Sequence, residues 1–134
     1  MKLLFKGLIG VSMLTGVTAQ VYADSHNSCD SGNKAQAELD RCLIDVEKDV
    51  DAAQKAAFDK IVAAAKKLDD VTAPRRDVVP ALTLGQDAWT QYRDKHCEFI
   101  GTTWGGGSGT GIAITRCRID LTRARIKELS QIEM

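Results

Sequence analysis

The chain has 134 residues, with 18 Lys and Arg against 18 Asp and Glu. Lys2 and Lys6 belong to a leader-like first segment, so residues 24–134 hold 16 basic and 18 acidic groups, a net of −2. That near-neutral balance makes the chain a poor nucleic-acid binder, and beyond the leader no apolar run reaches the roughly 18 residues of a membrane span.

The first segment reads as a secretory signal. Lys2 and Lys6 form a basic start, Leu8 to Val17 an apolar stretch, and Val21-Tyr22-Ala23 a peptidase site. The expected organisation is therefore a signal peptide over 1–23 and one helical domain over 24–134, periplasmic or secreted. That domain is just large enough to bury a core of its own. The residue directly after the cleavage site is Asp24 and not Cys, so a lipid anchor there is not expected.

Residues 24–33 are polar and predict a loop, with Asn33 able to cap the helix that follows. An apolar stripe then runs through Leu39, Leu43, Val46, Val50, Ala53, Ala57, Ile61, Ala64 and Leu68, in steps of three and four with no Gly or Pro. A helix unbroken to Asp69 is roughly 50 Å long at ~1.5 Å per residue. It exceeds the other helices, so part of it is expected to overhang or bend. Residues 70–79, with Asp70, Pro74, Arg75, Arg76 and Asp77, read as a connecting loop. Pro80 fits the first turn of a second helix. That helix shows Ala81, Leu84, Ala88, Trp89, Tyr92, His96, Phe99 and Ile100 as one broad apolar face and is expected to stop near Gly101. Gly105 to Gly111 is too glycine-rich for helix or strand. A third helix begins near Ile112 and carries Ile114, Cys117, Leu121, Ala124 and Ile132, widened by Ile119, Ile126 and Leu129. No alternating pattern long enough for a sheet is present. The expected fold is all-α, a three-helix antiparallel bundle with a long first helix.

Cys29, Cys42, Cys97 and Cys117 are an even count in an exported chain and read as two disulfides, for which three pairings exist. With no CxxC and only His26 and His96, neither a metal site nor a redox pair is expected, and no cofactor. The helix assignment narrows the pairing. Cys97 lies about one turn before the end of the second helix and Cys117 between one and two turns into the third, so antiparallel neighbours place them at similar height. Cys29 then pairs with Cys42 by elimination. The nearly extended stretch from Cys29 to Asn33 spans the roughly 13 Å involved. The cysteines are expected to pin both ends of the bundle.

Candidate binding residues lie in the glycine loop. It lacks the Lys-Ser/Thr of a phosphate-binding loop and follows no strand, so it reads first as a link between helices. His96 beside Cys97 is not a nucleophile-base pair if that Cys is oxidised. Trp89 and Tyr92 are expected in the core. Trp104 has no apolar partner in sequence; an exposed anchor and a ring folded back over the helix ends both stay open. If a partner is bound, the expected surface is Trp104 with Gly106, Gly107, Ser108 and Gly109. Glu38, Asp40, Asp45, Glu47, Asp49 and Asp51 crowd the first helix, and Arg116, Arg118, Arg123, Arg125 and Lys127 the third. These sets either neutralise one another or leave an acidic strip that steers a cationic partner. No catalytic residue can be argued from spacing, and no enzyme is expected.

The run Gln86-Asp87-Ala88-Trp89-Thr90-Gln91-Tyr92-Arg93-Asp94-Lys95-His96-Cys97 resembles the lysozyme inhibitor LprI-like N-terminal domain family. Gln86, Trp89, Tyr92, Arg93, Asp94 and Cys97 match its pattern, with Gly85 in place of an Ala. Gly106-Gly107-Ser108 matches its loop, and Cys117, Leu121, Thr122 and Arg125 its last motif. Cys29, Cys42, Asp51 and Phe58 fit upstream. The resemblance spans about residues 29–130. It implies a small, exported, helical, disulfide-bonded domain whose motif residues are structural. It also implies a partner, lysozyme or another exported protein; the alternative is a non-catalytic envelope binding or stress module.

Overall fold

The structure is a computed structural model that describes residues 29–30, 32, 34–72 and 77–134. The expected signal peptide and the capping role of Asn33 lie outside the described residues. Among those residues there are three long helices and no strand: α1 (Gln36–Thr72), α2 (Val78–Thr102) and α3 (Thr110–Ser130). Within the polar stretch read as a loop, Cys29 and Asp30 are helical. No helix among the described residues is long and apolar enough to cross a membrane.

α1 has 37 residues without Gly or Pro, which makes it about 55 Å long. Leu43, Val46, Val50 and Ile61 of its stripe are buried. Ala65 rather than Ala64 is the buried alanine near its end. The connection to α2 is shorter than residues 70–79, because α1 runs on to Thr72 and α2 starts at Val78. The Asp69 carboxylate accepts hydrogen bonds from the backbone N–H groups of Val78 at 2.8 Å and Val79 at 3.0 Å. A side chain of α1 thus satisfies the orphan donors that open α2.

The bundle runs up, down, up, so α1 and α3 are parallel. The Gln36 amide donates to the Ser108 carbonyl at one end, Glu47 faces Arg118 further along, and Asp51 and Thr122 share Arg93 beyond that. The core sits in the half nearest the α2–α3 turn. Cys29, Leu43, Val46, Val50 and Ile119 form it, with Leu39, Cys42, Ile112 and Ile126 packed against it. α3 ends at Ser130, alongside the middle of α1, so the last turns of α1 overhang it, as its length implies; among the described residues, α2 is the helix left beside them and Met134 lies near Lys67 and Val71.

Two disulfides form, Cys29–Cys42 and Cys97–Cys117, with Cα–Cα distances of 5.8 and 5.5 Å. They do not pin opposite ends. Cys42 stands near the start of α1 and Cys117 near the start of α3, and parallel helices bring both starts to the same end.

The second helix departs most from its apolar pattern. Leu84, Tyr92 and Phe99 are 70%, 55% and 61% exposed, and Ala81 and Ala88 are exposed as well. The side turned inward carries Gln86, Cys97 and Gly101, with Trp89 and Arg93 half-buried beside them. α3 departs in the same way: it buries Thr115, Ile119, Thr122 and Leu129, while Ala124 and Ile132 are exposed. Gly101 is needed for close approach rather than as a stop. A Cβ there would lie 2.6 Å from Cγ1 and Cδ1 of Ile114 on α3.

Candidate functional site

Two constellations stand out, a polar seam along the bundle and the turn at its disulfide-bonded end. The seam is built by the motif residues of α2. Arg93 Nη1 donates to Asp51 Oδ1 at 2.9 Å on α1 and to Thr122 Oγ1 at 3.1 Å on α3, while its Nε donates to Asp94 at 3.0 Å. Thr122 is fully buried, so this hydroxyl needs a partner inside the protein. Arg125 Nε donates to Gln86 Oε1 at 3.1 Å, and its Nη1 donates to Glu128. The Trp89 ring has both guanidinium groups over it, that of Arg93 at 5.4 Å and that of Arg125 at 5.7 Å from its centroid. Leu121 is half-buried beside these residues. Tyr92 takes no part; it stacks on His96 at 5.4 Å on the outer side. Bonded Gln86 and Arg93 fill the inner face, so Tyr92, roughly 100° or more round the helix from each, turns out rather than joining the core.

The seam also divides the charges of α1. Asp51 and Glu47 are turned inward, Glu47 lying 3.7 Å from Arg118. Burial pushes the Glu47 carboxyl above the usual carboxylate range, against the opposing pull of Arg118. Glu38, Asp45 and Asp49 stay exposed. On α3, Arg116 pairs with Asp30, and burial lowers the Arg123 guanidinium. Of the six acids, Glu47 and Asp51 are thus paired with α3 and α2, while Glu38, Asp45 and Asp49 face solvent.

The turn is ordered by hydrogen bonds rather than loose. Trp104 N–H donates to the Gly101 carbonyl, Gly105 N–H to Thr102, Gly107 N–H to Trp104 and Thr110 N–H to Gly107. Gly105 and Gly106 have φ of 63° and 76°, the left-handed region where a side chain is strained. α3 starts at Thr110, slightly before Ile112, and takes Gly111 into its first turn. Trp104 is 59% exposed, yet its ring lies on Gly109, where a Cβ would stand 2.9 Å from Cε3. Both readings of Trp104 thus hold in part: one side rests on the turn and the other is open. Gly106, Gly107 and Ser108 are exposed beside it. Gln36, Ala37, Asp40, Ser108, Gly111 and Ile112 line a shallow recess next to the turn. The structure brings Trp104, Ser108 and Asp40 to one end of the molecule. Among the described residues, no three His, Cys, Asp or Glu converge as metal ligands.

Gln36 and Gly101 were not legible as parts of this site. Gln36 looks like any polar first-turn residue, and Gly101 reads as a helix end.

The model of the lysozyme inhibitor LprI family matches residues 28–129. A protein of Rhizobium meliloti (strain 1021), described as uncharacterized, is 32% identical over 102 residues, covering 73% of each chain. No solved structure matches. This chain belongs to the lysozyme inhibitor LprI family.

Proposed function

We propose that this member of the family is an exported protein, released from a signal peptide over 1–23, that binds lysozyme and inhibits it by occupying its cleft. The observation that carries the reading is the turn: a half-open Trp104 beside exposed Ser108 and glycines, held at both flanks by the Cys97–Cys117 bridge. A braced turn loses little freedom on binding, and a large aromatic beside uncovered backbone groups is the makeup of a hot spot. Ser108 supplies a hydroxyl that hydrogen-bonds to a cleft carboxylate of the kind glycoside hydrolysis uses. The exposed acids Glu38, Asp45 and Asp49 steer a cationic enzyme toward this end. Inhibition by occupancy needs no catalytic group and no cofactor.

The test is clearance of a bacterial cell-wall suspension by lysozyme, with purified protein added. The wild type slows clearance, and Trp104→Ala with Ser108→Ala removes the effect while circular dichroism stays unchanged. Inhibition that survives the double change removes the turn from the contact and leaves the acidic strip. No inhibition by the wild type removes the lysozyme reading altogether. The second reading, a non-catalytic envelope module with another ligand, then stands; the weak net charge of −2 over residues 24–134 favours it.

A further inference from the structure

The outer face of α1, which includes the three acids proposed above to steer an enzyme, carries an order that the core does not use. Glu38, Asp45 and Asp49 come first, Ala52 and Ala56 follow, and Lys60 and Lys67 end the row. Steps of three, four and seven put all of them on one side of the helix. All are exposed. None of the five charged groups pairs within the described chain; the ion pairs there use other residues. This row of α1 is therefore acidic in its first half, alanine in the middle and basic in its second half, with Arg41 and the Lys55–Asp59 pair flanking it on one side.

We infer that this face is the contact surface for a second copy of the chain, joined antiparallel by a two-fold axis near Ala52 and Ala53. Three features support that occupant. The first is charge. Glu38 and Asp45 are seven residues apart, and so are Lys60 and Lys67. One antiparallel register sets Glu38 against Lys67 of the second copy and Asp45 against Lys60, and the symmetry repeats both pairs. A parallel copy would instead face like charges with like. The second is size. Alanine at the axis lets two helix backbones approach closely, with Asp49 set against Ala56 and no bulky side chain between. The third is the overhang. Because α3 stops at Ser130, Lys60, Ala63, Lys67, Leu68, Val71 and Met134 line a groove that no helix among the described residues covers. Val71 is 78% exposed there. The same register lays the first turn of the second copy's α1, at Ala37, over that groove. The assembly leaves the two Trp104 turns free at opposite ends.

Sedimentation of the purified, disulfide-intact protein tests this. The wild type forms a dimer that weakens as salt rises from about 50 to 500 mM. Lys60→Glu with Lys67→Glu leaves only acidic charges in the row, and Glu38→Lys with Asp45→Lys leaves Asp49 as its single acid among four lysines. Each variant alone loses dimerisation by about a hundredfold, with unchanged circular dichroism. Mixing the two restores a dimer containing one of each, which a merely misfolded variant would not do. A wild type that stays monomeric at about 1 mM overturns the inference. So does a dimer that survives either reversal, or a mixture that stays monomeric.

Discussion

Two glycines of α2 give opposite expectations for one chemical change. Gly85 is exposed on the helix, and a Cβ there meets nothing within 4 Å. Gly85→Ala gains only the helix preference of alanine and the reduced freedom of the unfolded chain, about 1 kcal/mol. For a domain of this size that raises Tm by roughly 4–8 °C. Gly101→Ala gains the same preference, but its Cβ would stand 2.6 Å from Cγ1 and Cδ1 of Ile114. Cγ1 is not the free end of that side chain, so α2 and α3 must part or Ile114 must leave its rotamer. Overpacking of this kind costs about 1–3 kcal/mol, and the Cys97–Cys117 bridge close by limits relief by helix movement. The net expectation is a loss of up to about 2 kcal/mol after the helix gain is subtracted. Urea unfolding with disulfides intact measures both. Adding Ile114→Ala to Gly101→Ala removes the clashing atoms, so the pair should couple favourably by about 1 kcal/mol. If Gly101→Ala stabilises as much as Gly85→Ala, or if the pair is additive, the close approach of α2 and α3 is not what selects glycine at position 101.

Arg93→Ala removes the shared donor of Asp51, Asp94 and Thr122. Asp51 and Asp94 retain water, so the loss is set mainly by buried Thr122 and the Trp89 contact, about 2–3 kcal/mol by urea unfolding. Glu47 gives a pH signature. Its carboxyl is raised in the folded state, so the native protein holds that proton more tightly than the unfolded chain. Stability from this group is therefore present below the ordinary value of about 4.3 and is lost as pH rises through and above it. The wild type should lose stability relative to Glu47→Gln over that rise; a difference that stays flat or moves the other way refutes the burial argument. Replacing Cys97 and Cys117 together by Ser opens a link across 20 residues and should cost about 3 kcal/mol, read from the urea midpoint.

How much of this was legible follows from the physics of each element. The long first helix was readable because its stripe is apolar, uninterrupted and buried in the expected places, Leu43, Val46, Val50 and Ile61. The disulfide pairing was readable because helix lengths fix the heights of Cys97 and Cys117. The inner face of α2 was not. Periodicity analysis equates burial with apolar side chains, and α2 inverts that rule. Gln86 and Arg93 go inward because each finds hydrogen-bond partners on a neighbouring helix, which offsets the loss of water. Leu84 and Phe99 are left outside. The family resemblance marked Gln86, Arg93 and Thr122 without saying which way they point. At the turn, Trp104 and Ser108 were visible as unusual residues, but the hydrogen bonds that order their glycines depend on backbone geometry that composition does not reveal.

Both crosslinks and the main apolar cluster lie in the half of the bundle near the turn, while among the described residues the overhang of α1 has α2 as its one helical neighbour. Openings that need no bridge to break and little apolar surface to be exposed are the cheapest ones. A protease meeting this protein therefore first finds the far end, around the last turns of α1 and the first turns of α2. A cut there still leaves α2, the turn and α3 tied through Cys97–Cys117 and α1 held by its contacts with α3. The fold thus concentrates its durability at one pole and spends its vulnerability at the other, so damage begins as far as possible from Trp104.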